Sequence, residues 1–113
     1  MNRSERSART VLDVLAERER QNVIWGEQNH PDGSGPDRID NRTLLPWRYL
    51  TVWARETCQA AAADGTVTWL DIAREEVFEA FAEDDPAQLR TELIQASAVF
   101  LQWAEAIDRR LNP

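Results

Sequence analysis

The sequence predicts an all-α chain whose four helices pack as a bundle. Three observations predict it. Four stretches repeat apolar residues at spacings of three and four, and none alternates with a period of two. Cap or breaker residues bound these stretches: Gly26, Pro46, Asp64-Gly65, Thr68 and Asp85-Pro86. No Gly-rich phosphate loop is present, which excludes a P-loop or dinucleotide-binding fold. At 113 residues the chain is expected to be one domain, residues 1–113, with one core.

The first helix is expected from residue 4 to about residue 25. Val11, Leu12, Leu15, then Asn22, Val23 and Trp25 give it an incomplete apolar face, which Arg18, Glu19, Arg20 and Gln21 interrupt. Gln21 and Trp25 lie one turn apart, and two readings stay open. They can offer a carboxamide and a flat ring to a nucleotide, or Trp25 can close the helix end over the core. Gly26 is a helix stop. Residues 26–45 then form a long segment rich in breakers, Asn29-His30-Pro31-Asp32-Gly33-Ser34-Gly35-Pro36. A loop of that length in a small domain suits a lid or a substrate-side loop. His30, the only histidine, is expected to hydrogen-bond at the surface, and Arg38 and Arg42 to be solvated.

Pro46 opens the second helix. Trp47, Leu50, Ala54, Thr57 or Cys58, and Ala61 form its stripe as far as about Ala63. Cys58 lies on that stripe without a second Cys or a His nearby, so it is read as packing. Arg48 and Arg55 flank the stripe by one position on either side, and one of them is expected to border the site. Thr68-Trp69-Leu70-Asp71 starts the third helix with a capping box, and Val77, Ala80 and Phe81 give it a second apolar edge. The fourth helix runs from residue 86 to about 111, with Asp85 as N-cap and Pro86 as first residue. Leu89, Leu93, Ala96, Phe100, Trp103 and Ile107, beside Val99, predict a broad buried face.

The third and fourth helices carry acids where a helical hairpin should carry core. Trp69, Ile72, Glu76 and Glu79 share one face of the third helix, and Leu89, Glu92, Ala96, Val99 and Trp103 share one face of the fourth. The short link Asp84-Asp85-Pro86 makes the two helices antiparallel neighbours, so Glu76, Glu79, Glu92 and Gln95 should converge. Two such charges about 5 Å apart repel by roughly 3 kcal/mol at an effective dielectric near 20. Arg74 and Arg90 are the nearby bases in sequence, and Arg74 is expected to point elsewhere. A hard divalent cation suits an all-oxygen donor set better. The alternative is a solvated acidic face on helices that pack along another side.

The net charge of −7 is local. Residues 71–85 hold seven acids against Arg74 alone, a net of −6, which favours a cation site there and disfavours nucleic acid. A single cysteine excludes an intramolecular disulfide and suits a reducing cytoplasm. Arg3, Arg6 and Arg9 are followed by no apolar run, so neither a signal peptide nor a membrane span is expected. All 13 basic residues are Arg, and coding bias explains this better than function does.

Glu75-Glu76-x-x-Glu79, twelve residues, then Glu92-x-x-Gln95 resembles the motif of the MazG-like all-α nucleoside triphosphate pyrophosphohydrolases. That motif is two adjacent Glu, two residues, Glu, a spacer, and Glu-x-x-Asp. Trp25-Gly26-Glu27-Gln28-Asn29-His30-Pro31-Asp32 and the tail from Ala82 to Arg110 are similar to the small phage and actinobacterial members. The resemblance implies an oligomeric four-helix bundle, a homodimer or homotetramer, that splits an NTP or dNTP into monophosphate and pyrophosphate with Mg²⁺ or Mn²⁺. It implies Glu76, Glu79 and Glu92 as metal ligands, with Gln95 at the fourth position, where Asp is usual. Glu75 would orient or deprotonate the attacking water, and it can equally be an outer-face residue. Gln21, Trp25, Arg48 and Arg55 are the candidate substrate contacts. The Gln95 departure keeps two alternatives open, a nucleotide-binding protein without turnover and a helical protein-interaction module.

Overall fold

A computed structural model describes residues Met1 to Pro113. It contains four helices and no strand: α1 (Arg3–Trp25), α2 (Trp47–Asp64), α3 (Trp69–Phe81) and α4 (Pro86–Leu111). No helix is long and apolar enough to cross a membrane. The chain divides into two compact units, Asp32–Phe100 and Met1–Pro31 with Leu101–Pro113.

The expected boundaries hold because local chemistry sets them. The Thr68 hydroxyl accepts from the Asp71 N–H (3.2 Å), and the Thr68 N–H donates to the Asp71 carboxylate (3.0 Å), closing the capping box of α3. Asp85 Oδ2 accepts from the Gln88 N–H (3.0 Å) at the start of α4. Gly65, at φ +80°, ends α2 in the left-handed region that a side chain would strain. Pro46 sits one position earlier than expected, as the N-cap of α2, because its ψ of 147° is extended and Ile39 bridges to it. Thr68→Ala removes the hydroxyl that caps the Asp71 N–H, while the bond from the residue-68 backbone N–H to the Asp71 carboxylate can remain. It is expected to lower stability by about 1 kcal/mol, read as a lower urea midpoint at unchanged m-value.

In the unit Asp32–Phe100, α2 and α3 are the close pair. Small residues, Ala54, Cys58, Ala73 and Ala80, are buried between them. The Thr51 hydroxyl donates to the Phe78 carbonyl across the gap (3.0 Å). Trp47 packs edge-on against Phe78 (5.2 Å) and Phe81 (5.0 Å). The latter half of the 26–45 loop is docked. Ser34 Oγ donates to the Glu83 carbonyl (2.6 Å), and the Gly35 N–H donates to the Phe81 carbonyl (2.9 Å). Gly35 lies so close to the α3–α4 link that an added Cβ would meet the Asp84 Cβ at 3.4 Å. No Cα of α3 comes within 8 Å of one in α4, so that pair leaves space for side chains.

The broad buried face expected for α4 is only partly buried within this chain. Leu89 and Ala96 are buried, but Leu93 and Phe100 are each 48% exposed. Sequence spacing shows that a stripe is apolar, not what covers it.

In the other unit, α1 is capped at both ends, by the Asn2 carboxamide accepting from the Glu5 N–H (2.9 Å) and by the Gly26 N–H donating to the Asn22 carbonyl (2.8 Å). Its apolar face is largely uncovered. Thr10 is its one buried residue, and Val11, Leu12 and Leu15 are exposed. Trp25 is 59% exposed and does not close over a core.

Candidate metal centre

Glu76 and Glu79 stand one turn apart on α3, and Glu92 lies in the second turn of α4. One carboxylate oxygen from each comes within 4.8 Å of the other two. All three residues are half-buried. The convergence arises because α3 turns its small residues to α2 and its glutamates toward α4, across a gap that the backbones leave open.

The electrostatics are unfavourable to the protein alone. Glu76 Oε2 and Glu92 Oε2 are shut off from solvent and meet no hydrogen-bond donor. A buried, unpartnered acceptor costs about 1–3 kcal/mol, more when charged. Burial raises the pKa of Glu76, and the Glu75 and Glu92 carboxylates raise it further. Burial likewise raises that of Glu79, with Glu76, Glu92 and Glu75 adding to it and Arg55 opposing.

Arg55 supplies the one cation at this cluster. Its Nη2 is 3.5 Å from Glu79 Oε1, and its Nε is 4.0 Å from Glu75 Oε1. Arg55, and neither Arg74 nor Arg90, the nearest bases in sequence, is the cation that pairs with these acids. Arg55 reaches the acids from α2, a neighbour in space and not in sequence. Arg74 does point elsewhere: it pairs with Asp71 (3.2 Å) and lies over the Trp53 ring (4.5 Å). Of the two arginines flanking the α2 stripe, Arg55 borders the acids. Arg48 is held by Asp37 (2.8 Å) and lies over Tyr49 (5.1 Å).

Gln95 stands three residues beyond Glu92 on α4, exposed and without a hydrogen bond. Cys58 is buried and free, as its stripe position implied. Burial raises its thiol pKa, and the neighbouring Glu75 carboxylate adds to that. Gln21 and Trp25 belong to the other unit. There the Gln21 amide donates to Glu17 (3.3 Å) and its oxygen accepts from Arg18 (3.4 Å). His30 pairs with Gln28 at the surface (3.0 Å).

The donors that converge are hard oxygens, two of them buried without a partner, with no imidazole or thiolate among them. That chemistry fits Mg²⁺ or Mn²⁺ and not a soft metal. No family model matches the chain, nor does any curated protein or solved structure.

Proposed function

We propose that this chain is a magnesium-dependent nucleoside triphosphate pyrophosphohydrolase of the MazG-like all-α kind, releasing pyrophosphate from an NTP or dNTP, with Mn²⁺ as an alternative ion. The observation that carries the reading is the carboxylate trio with its two orphaned buried oxygens. In this reading Glu76, Glu79 and Glu92 hold the ion. Gln95 takes the fourth position, through its amide oxygen or as a donor to a water there. When bound, the ion would neutralise the triphosphate and make a water acidic enough to attack phosphorus. Glu75, adjacent in sequence to the ligands and facing Arg55, is assigned to orient that water and take its proton. Arg55 is assigned to the phosphates in preference to Arg48, which Asp37 already engages.

The test is a panel of NTPs and dNTPs with Mg²⁺ or Mn²⁺, scored for pyrophosphate, with Glu79→Gln as control. Release that depends on metal and is lost in the control supports the reading. No release from any nucleotide above the control sinks it.

The bundle is proposed to be completed by a second copy, as a homodimer or homotetramer. No large side chain in the chain is wholly buried. Leu93 and Ile94, directly after Glu92, are about half exposed, as is Phe100. Uncovered apolar surface of this kind marks an interface. Leu93→Glu is expected to halve the mass measured by light scattering on a sizing column, whereas a wild-type chain that runs as a monomer at micromolar concentration rules the assembly out.

One observation favours a second reading, nucleotide binding without turnover: Gln95 is uncharged and solvent-facing. Gln95→Asp restores a charge at that position. A gain of tenfold or more in pyrophosphate release, at unchanged nucleotide affinity, would identify the natural chain as a binder.

A further inference from the structure

We propose that Arg55 is a built-in competitor of the divalent ion. It holds Glu79 and Glu75 until the ion takes Glu79, and its release then couples metal loading to capture of the substrate's phosphates. This rests on the metal-centre reading above.

Four observations carry it. First, the guanidinium spans two carboxylates one turn apart on α3, and one of them, Glu79, is a member of the trio. A cation loading the trio therefore contends with Arg55 for that carboxylate. Second, Arg55 does not reach the inner oxygens of Glu76 and Glu92, which stay unpartnered. It answers the outer acids only, so it does not substitute for an ion among the three. Third, the hold is loose. Contacts of 3.5 and 4.0 Å exceed the 2.7–2.9 Å of a well-formed charged pair, and the side chain is 46% exposed. Fourth, the backbone beneath it is firm. Leu50, Thr51, Ala54 and Cys58 are buried along one face of that helix, and the Thr51–Phe78 bond ties it to α3. The side chain can swing while its base stays beside the acids. No other arginine is so placed, since Asp71 and Trp53 hold Arg74 and Asp37 holds Arg48.

The sign of the effect separates this from a simpler role. A residue that merely orients Glu79 for the metal helps binding, and its loss weakens binding. A competitor of like charge opposes binding, and its loss tightens it.

The experiment titrates Mg²⁺ alone into the wild-type chain and into Arg55→Gln and Arg55→Lys, by calorimetry and by thermal shift. A non-hydrolysable triphosphate analogue is then added at saturating Mg²⁺. Arg55→Gln is expected to bind Mg²⁺ about tenfold more tightly and the analogue about tenfold more weakly, within the usual range of coupling between sites. Arg55→Lys keeps the charge and should stay near wild type for Mg²⁺. In the wild-type chain, the Arg55 Nε–H resonance should move as Mg²⁺ is added, which reads the release even if Arg55→Gln does not fold. Equal or weaker Mg²⁺ binding by Arg55→Gln, or an Nε–H signal that does not respond, overturns the competitor role while leaving the metal centre standing. A wild-type chain that shows no Mg²⁺ response at all removes both.

Discussion

Glu76→Gln is expected to have opposite effects on activity and on the stability of the protein without added metal. On the proposed function, pyrophosphate release should fall by about 10³-fold or more, since removing a proposed ligand forfeits several kcal/mol of charge stabilisation at the metal, and each 1.36 kcal/mol is tenfold in rate. The protein without added metal should become more stable, by about 1 kcal/mol, because a buried and unpartnered charge disappears and the new amide can donate to Glu92 Oε2. Most ligand substitutions at a catalytic site cost both rate and stability, so the divergence is diagnostic of a site whose charges repel until an ion separates them.

The pH dependence follows from the same charges. Glu76 and Glu79 have folded-state pKa values raised above their ordinary ones. Their contribution to stability is thus full below the ordinary glutamate range and is lost as pH rises through the raised values. The stability advantage of Glu76→Gln over wild type should therefore grow from pH 4 to pH 7. Protons and Mg²⁺ also compete for the same oxygens, so the rise in Tm of the wild-type chain with millimolar Mg²⁺ should be larger at pH 7.5 than at pH 5. A Mg²⁺ effect that is flat or reversed over that range places the ion somewhere other than on these carboxylates.

What the sequence showed and what it hid divide along the range of the interactions. Thr68 with Asp71, Asp85 with Pro86, and Gly65 act on their own neighbours, so the helix limits could be read residue by residue. The approach of Glu76 and Glu79 to Glu92 was also legible, since a short link fixes which turns of two successive helices face each other. Arg55 was not. Nothing in the spacing distinguishes it from Arg48 on the other flank of the stripe, and only the packing of α2 on α3 decides which one meets the acids. That packing had a faint signature in the small residues Ala54, Ala73 and Ala80, which let two backbones come close. The exposure of Leu93 and Phe100 had none, because an apolar stripe looks the same whether its own chain or another covers it. The docking of Ser34 and Gly35 on the end of α3 joins residues nearly fifty positions apart and left no local mark either.

Trp47→Ala is expected to be the most destabilising single change away from the acids, at about 3 kcal/mol or more, the lower end for removing a large aromatic from a packed site. Trp47 packs against both Phe78 and Phe81, which themselves lie 6.4 Å apart in stacked orientation, so its loss opens a hole bordered by two rings. A chain without a single fully buried large side chain has little stability in reserve. Trp53→Ala is the contrasting case. Trp53 is 50% exposed and carries only the Arg74 guanidinium over its face, so about 1 kcal/mol is expected. Urea unfolding of the two variants measures the difference. The Trp47 change should also reach the candidate metal centre without touching any of its three glutamates, because α2 carries Arg55 and the aromatic contacts hold α2 against α3. At temperatures where it remains folded, Trp47→Ala should bind Mg²⁺ with an affinity shifted toward that of Arg55→Gln. An affinity equal to wild type would mean that the Thr51–Phe78 bond and the buried alanines alone fix Arg55 beside Glu79.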